Sequence, residues 1–413
     1  MTCSPSRCTV SETPESSLLR YRYTFHTARF VGPCSRGTGL GRVPIGGLMN
    51  RLPGLDVLRA IAIVWVMLFH SWIVGGLNDP FNALAQYGWM GVDLFFVLSG
   101  YLIGYQLLKP LSRREPLRFG QFYLRRAFRI LPAFLVVLAV YVLFPSWREA
   151  PGMQPVWQFP TFTLNLLIDY DHNQAFSHAW SLCVEEQFYL LFPFLAWLLT
   201  RRPSMTVTVC VGIGVIVAGM LIRGYASLHA TNYLESIYYP TYTRLDGLLA
   251  GVMLAAIQTY RASWWSALQA RANWLAFAGL IATGIAIWLF RDRTAFAATV
   301  FGFPLLSLGV ALCVAAAAGA RSFGRWRVPG AGWIAAMSYS LYLSHKLVIH
   351  GIATALASRP AIHGLLAFAI YAIAIFLVGA LLHYGVERPF LRLREWLGSR
   401  SPKMASEPGT SPG

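Results

Sequence analysis

Apolar residues in this chain fall in long blocks, not in the period-two alternation of a half-buried strand or the narrow stripe of a surface helix. Residues 61–69, 131–144, 207–222 and 361–382 are examples. A helix that crosses a bilayer needs about 20 predominantly apolar residues, and lipid admits only helices and closed barrels, because every backbone polar group must be satisfied internally. The blocks predict ten such helices, near residues 57–77, 89–108, 129–146, 181–200, 205–222, 243–260, 272–290, 296–318, 334–356 and 363–385. The expected fold class is all-α, a polytopic membrane helical bundle of about ten transmembrane helices.

Composition strengthens that reading. Of 413 residues, 56% are hydrophobic and 12% charged, with a mean hydropathy of +0.51. An average soluble domain carries about 25% charged residues, so one soluble core could not hide these blocks. The net charge of +17 would suit nucleic acid if the basic residues were clustered on one patch. Instead they alternate from loop to loop, which excludes nucleic acid as the expected partner. One set of loops holds Lys109, Arg113, Arg114, Arg118, Arg125, Arg126 and Arg129, then Arg201 and Arg202, Arg261 and Arg271, Arg321, Arg325 and Arg327, and the C-terminal arginines. The other holds only Arg148, Arg223, Arg291, Arg293 and Arg359. The positive-inside rule then puts both termini in the cytoplasm, and an even number of spans agrees with both lying on one side. Six cysteines without a CxxC pair predict neither disulfide nor metal site.

Residues 1–48 are rich in Ser, Thr, Gly and Arg and contain no apolar run. They read as a disordered or mis-annotated extension, with Met49 as the natural start. Residues 49–390 read as the membrane domain and 391–413 as a basic cytoplasmic tail. The longest outer loop, 147–180, carries Trp147, Trp157, Phe159 and Phe162. It is too aromatic for a linker and is expected to pack into the interface or cover a cavity.

Ionisable residues inside spans are costly and usually face an interior cavity. Arg59 and His70 lie on one face of the first helix, about 16 Å apart along its axis, and Asp56 lies one turn before Arg59. In the fourth span Ser181, Glu185 and Tyr189 repeat at i, i+4, i+8 and share a face. Arg244 and Asp246 open the sixth span, where a simple helix-end ion pair would also account for them. Tyr342 and His345 lie in the ninth, in Ser338-Tyr339-Ser340-Leu341-Tyr342-Leu343-Ser344-His345.

These residues carry a resemblance. Arg59 and His70 with ten residues between them, Gly91–Ile103 in the second span, Arg125-Arg126-Ala127-Phe128-Arg129-Ile130-Leu131-Pro132, the stretch from Trp180-Ser181-Leu182 to Glu185-Glu186-Gln187-Phe188-Tyr189, Arg244-Leu245-Asp246, the Ser338 block and Glu387-Arg388-Pro389 occur in the order found in the acyltransferase-3 family. The chain resembles that family from about Leu52 to Pro389. The resemblance implies a bacterial inner-membrane O-acyltransferase with acetyl-CoA or another acyl-CoA as donor. The acceptor it implies is a hydroxyl on a cell-surface or lipid-linked carbohydrate. Some members carry a hydrolase-like domain after the last span. Here about 24 residues follow Pro389, so transfer is expected to finish in the membrane domain or with a separate partner.

Acyl transfer to a hydroxyl needs a base, oxyanion stabilisation and a grip on the anionic donor. His70 is the expected base, with Glu185 orienting it and Arg59 in the same catalytic group. Arg125, Arg126 and Arg129 are expected on the coenzyme phosphates, since a guanidinium binds phosphate bidentately; anchoring by the positive-inside rule is their ordinary alternative. Asp56, Ser181, Tyr189, Arg244, Asp246, Tyr342 and His345 are expected to complete the cavity. A lipid or small-molecule acceptor would use the same residues. A transporter would show internal repeats, and each block here occurs once.

Overall fold

The computed structural model describes residues 52–73, 81–201, 205–319, 322–359, 362 and 364–400. The extension expected at 1–48 and residues 401–413 of the expected tail lie outside the described residues. The helices in order are α1 (Pro53–Ile73), the short α2 (Phe81–Ala85), α3 (Gly91–Ser112), α4 (Phe119–Leu143), α5 (Trp180–Arg201), α6 (Met205–His229) and α7 (Asp246–Tyr260). They continue with the short α8 (Ala262–Ala270), α9 (Ala272–Leu289), α10 (Phe303–Ala317), α11 (Ala331–Leu356), α12 (Gly364–Leu382) and α13 (Arg388–Arg400). Among the described residues the only β-type pairing is an isolated bridge between Met153 and Ala175. The chain is an all-α, multi-pass membrane bundle.

All ten expected helices are present. Eight stretches among the described residues are long and apolar enough to cross a membrane. The two others are α7, with 15 residues, and α11, with 26 residues interrupted by Ser338, Ser340, Ser344, His345 and Lys346. A 15-residue helix rises only about 22 Å, less than a hydrocarbon core of about 30 Å. Its Asp246, Gly247, Leu248, Gly251 and Val252 are buried, so protein rather than lipid covers most of it.

Two boundaries change the chemistry. α4 starts at Phe119 rather than near 129, so Arg125, Arg126 and Arg129 lie on a helix and not in a loop. α6 runs on to His229, which places Arg223 inside the helix and not among the outer-loop charges. Arg223 is fully buried, and its Nη1 lies 2.7 Å from Asp246 Oδ2.

Small residues set the central contact. Gly100 and Gly104 on α3 pack against α7, and Gly247 and Gly251 on α7 pack against α3; both pairs have the four-residue spacing that lets helix backbones approach closely in lipid. A methyl group at Gly100 would strike the Leu248 carbonyl, and one at Gly251 the Val97 carbonyl. That approach brings α3's Asp93 within 2.8 Å of Arg244, just before α7. The loop from 144 to 179 folds back into the bundle, with Phe159 and Phe176 both 0% exposed. Phe176 adopts a left-handed backbone (φ 56) and stacks on Tyr141 at 4.4 Å and Phe159 at 5.4 Å.

Candidate active site

Two cavities lie along the inner faces of α1, α5 and α11. The first, about 330 Å³, is lined by Arg59, Ser99, Arg126, Arg129, Ser181, Glu185, Tyr189 and Tyr339, with apolar residues of α3. The second, about 350 Å³, is lined by His70, His178, Trp89, Trp180, Glu149, Lys346, Arg293 and four tyrosines of the connecting loops. Val92 and Tyr342 line both. The Tyr342 hydroxyl donates to the His178 carbonyl at 2.7 Å. A tyrosine has a single hydroxyl proton, so Ser181, 2.7 Å from the same oxygen, must donate to it. This knot ties α5 to α11 at the wall between the cavities.

The first cavity holds its cations against carboxylates. Arg126 lies 3.8 Å from Glu186 and 4.0 Å from the centre of the Tyr189 ring. The Tyr189 hydroxyl donates to Glu185 at 2.8 Å and touches the Ser99 hydroxyl. As the i, i+4, i+8 spacing predicts, Ser181, Glu185 and Tyr189 share this wall. Arg129 lies 3.0 Å from Glu387. Glu387 ends a π-helical turn, His383–Glu387, between α12 and α13, and the extra residue of such a turn re-aims the side chains around it. There Glu387 also receives the Ser340 hydroxyl at 2.7 Å and meets His383 Nδ1 at 2.9 Å.

The second cavity contains a histidine relay whose tautomers can be assigned from the acceptors. His345 Nδ1 lies 2.6 Å from the Tyr342 carbonyl. A carbonyl only accepts, so this nitrogen carries the proton, and in the neutral ring Nε2 is an acceptor. His345 Nε2 lies 3.1 Å from His70 Nδ1, and His70 Nδ1 lies 3.0 Å from the Val66 carbonyl. Both neighbours require the proton on His70 Nδ1. The lone pair of neutral His70 is therefore on Nε2, the ring nitrogen left for a hydroxyl in the cavity. His178 Nε2 meets the Leu343 carbonyl at 3.3 Å, and its Nδ1 is buried without a partner among the described residues.

The sequence-expected residues divide as follows. Arg59, Arg126, Arg129, Ser181, Glu185 and Tyr189 line the first cavity, His70 the second, and Tyr342 both. Glu185, expected to orient His70, lies in the other cavity, and His345 takes that place from behind the ring, fully buried. Arg125 is exposed and lines neither cavity, although it lies one turn before Arg129 on the same helix. Asp56 also lies outside both linings. Arg244 and Asp246 are not paired with each other and face neither cavity. Arg244 joins Asp93, and Asp246 joins Arg223, as two buried ion pairs holding α3, α6 and α7. Trp147 and Trp157 of the outer loop are 57% and 55% exposed; that loop reaches the second cavity through Glu149, Ala150, Tyr170 and Gln174.

Five residues with a clear place had been given no role. Glu387, Asp93 and His178 stood inside or beside the quoted motifs, so their signal was available. Glu149 and Lys346, 2.9 Å apart, join a loop to α11 across about two hundred residues, which no local pattern announces. Burial pushes the Glu149 carboxyl up, but the Lys346 ammonium and hydrogen bonds outweigh it, leaving the group below its ordinary value.

A multi-helix membrane domain with a basic recess, a histidine recess and a hydroxyl-bonded wall between them has the parts of a membrane acyltransferase. The comparisons agree: the profile of the acyltransferase-3 family, described as an acyltransferase domain, matches residues 52–384, and the chain belongs to that family. It is 30% identical over 227 residues to the peptidoglycan O-acetyltransferase OatA of Listeria monocytogenes, covering 50% of this chain and 34% of that protein. It is 31% identical over 224 residues to the O-acetyltransferase OatA of Staphylococcus aureus, again 50% of this chain and 34% of the relative. The matched region thus spans about a third of the length of these relatives. No solved structure matches.

Proposed function

We propose that the protein is an O-acetyltransferase that moves an acetyl or other short acyl group from acyl-CoA to a carbohydrate hydroxyl, with His70 as general base. One observation carries this reading: an arginine cavity and a histidine cavity meet at Val92 and Tyr342. The first suits a donor bearing phosphates, held by Arg126 and Arg129, with Arg59 deeper on the same wall. The second suits an acceptor hydroxyl, whose proton goes to His70 Nε2 as its oxygen bonds to the acyl carbonyl carbon. The coenzyme thiolate then leaves on the arginine side. His345 is a positioning residue, holding the His70 tautomer that can accept this proton. The names of the relatives support a glycan acceptor, and loop arginines support an orientation with the arginine cavity toward the cytoplasm of a bacterial inner membrane. That count becomes more one-sided once Arg223 is removed from the outer set.

The deciding experiment is a deletion strain, with ester-linked acyl groups quantified by mass spectrometry on each surface glycan and on total lipids. Loss of an ester from one glycan, restored by the wild-type gene but not by His70→Ala, is the expected result. Unchanged glycans with a lipid or secreted small molecule losing its ester would keep the acyltransferase and remove the carbohydrate acceptor.

A further inference from the structure

The second cavity contains one cation that no carboxylate among the described residues answers. Arg293, half-buried in the loop between α9 and α10, lines the cavity that holds His70. Its Nη2 donates to the Gln86 carbonyl at 2.6 Å. Its guanidinium lies 5.6 Å from the centre of the Phe69 ring and 5.0 Å from that of Trp89. One carbonyl and two ring faces therefore fix its position. Among the described residues it takes part in no ion pair, whereas Lys346 in the same cavity is paired with Glu149 at 2.9 Å. Burial lowers the Arg293 guanidinium from its ordinary value, and the groups opposing that drop are tyrosines, Tyr238 first, not carboxylates. The fixed charges of this cavity are thus Arg293, Lys346 and Glu149, a net positive set beside the rings of His70, His178 and His350.

A partly desolvated guanidinium without a counter-ion is costly unless a ligand supplies one. Five N–H donors in a planar fork match a carboxylate or phosphate bidentately. Beside aliphatic residues such as Val66, Leu234 and Ile349, the lining offers the aromatic faces of Trp180, Tyr170 and Tyr239 and the amide of Gln174. Such a lining offers flat faces and hydrogen bonds to a polyhydroxylated ring.

We propose that Arg293 reads a carboxylate or phosphate group on the acceptor, so that this cavity selects an anionic sugar derivative over its neutral counterpart. The proposal rests on the reading of this cavity as the acceptor site, and places the anionic group on the Phe69–Trp89 side of the ring that presents its hydroxyl to His70.

The test is binding, so that it stands apart from catalysis. The full chain, purified in a neutral maltoside detergent, is titrated calorimetrically with glucuronic acid, glucose 1-phosphate and glucose, for the wild type, Arg293→Gln, Arg293→Lys and His70→Ala. At least one anionic sugar should bind the wild type about tenfold or more tightly than glucose, the worth of one charge-assisted contact. Arg293→Gln should reduce that gap to within about twofold, Arg293→Lys should keep part of it because the charge stays while the fork is lost, and His70→Ala should keep it whole. An anion preference unchanged in Arg293→Gln, or no preference in the wild type up to tens of millimolar sugar, overturns the proposal. So does phosphatidylglycerol displacing the sugar from the wild type while failing to bind Arg293→Gln, because the charge then serves a lipid headgroup. A His70→Ala protein that still transfers acyl groups at the wild-type rate would remove the proposed mechanism and leave the anion preference standing.

Discussion

The two cavities hold their reactive groups in different ways, although Lys346 of the second also meets a carboxylate, Glu149. In the arginine cavity the cations face carboxylates, Arg126 toward Glu186 and Arg129 toward Glu387, and each pair is partly open, so an incoming anion competes with a partner already there. In the histidine cavity the ring nitrogens are directed at backbone carbonyls and at each other, and a carbonyl cannot change its protonation. The first arrangement suits reversible exchange of anions. The second suits a proton acceptor that must present the same lone pair in every turnover. A basic recess and a recess with a defined tautomer are different devices, and the substitutions below separate them.

The largest effect should come from His70. His70→Ala should lower turnover by about 10²- to 10⁴-fold, the range for loss of a positioned base, with membrane insertion unchanged by fractionation. A well-inserted variant with wild-type turnover would detach the relay from the chemistry. His345 comes next. His345→Leu removes one of the two acceptors of His70 Nδ1–H, leaving only the Val66 carbonyl, and should lower kcat about tenfold with little change in donor KM. His345→Gln, whose amide oxygen can accept the same hydrogen bond, should recover most of it. Equal loss in both variants would mean that His345 only fills space.

The arginine side should answer in KM instead. Arg129→Ala should raise the donor KM about tenfold, and the exposed Arg125→Ala by about twofold or less, in assays varying acyl-CoA and acceptor separately. Equal effects from the two would return the charge to simple anchoring. The smallest effect concerns Glu149. Its carboxyl is held below its ordinary value in the fold, so the Glu149–Lys346 pair contributes its full stability above the unfolded-state value and loses it as pH falls through the lower folded value. Thermal unfolding in detergent should therefore show a steeper fall below about pH 4 for the wild type than for Glu149→Gln. Parallel curves would show that the pair contributes nothing measurable.

Helix periodicity made much of this legible. It placed Ser181, Glu185 and Tyr189 on one wall and turned Arg59 and His70 inward, because both follow from 100° per residue along one helix. Which cavity each would face was not legible, since that depends on how α1, α5 and α11 cross. The assignment of Glu185 to His70 failed for that reason. Arg223 and Arg244 show a second limit. A buried arginine reads as a site marker, yet these two meet Asp246 and Asp93 on neighbouring segments and serve as fasteners. Removing one partner of such a pair costs about 3–5 kcal/mol with no chemistry involved. The sequence neighbours Arg244 and Asp246 looked like partners of each other; the fold sends them to different helices.

The wall of Val92 and Tyr342 sets a requirement separate from ester chemistry. With the orientation proposed above, a recess on each side of it would bring solvent inward, and the barrier between the two sides of the membrane would be only as thick as that wall. The Tyr342 hydroxyl accepts from Ser181 and donates to the His178 carbonyl, so its single proton is already committed at that wall. On the two-cavity reading proposed above, the same tyrosine that separates the two recesses would also have to keep the protein from acting as a leak.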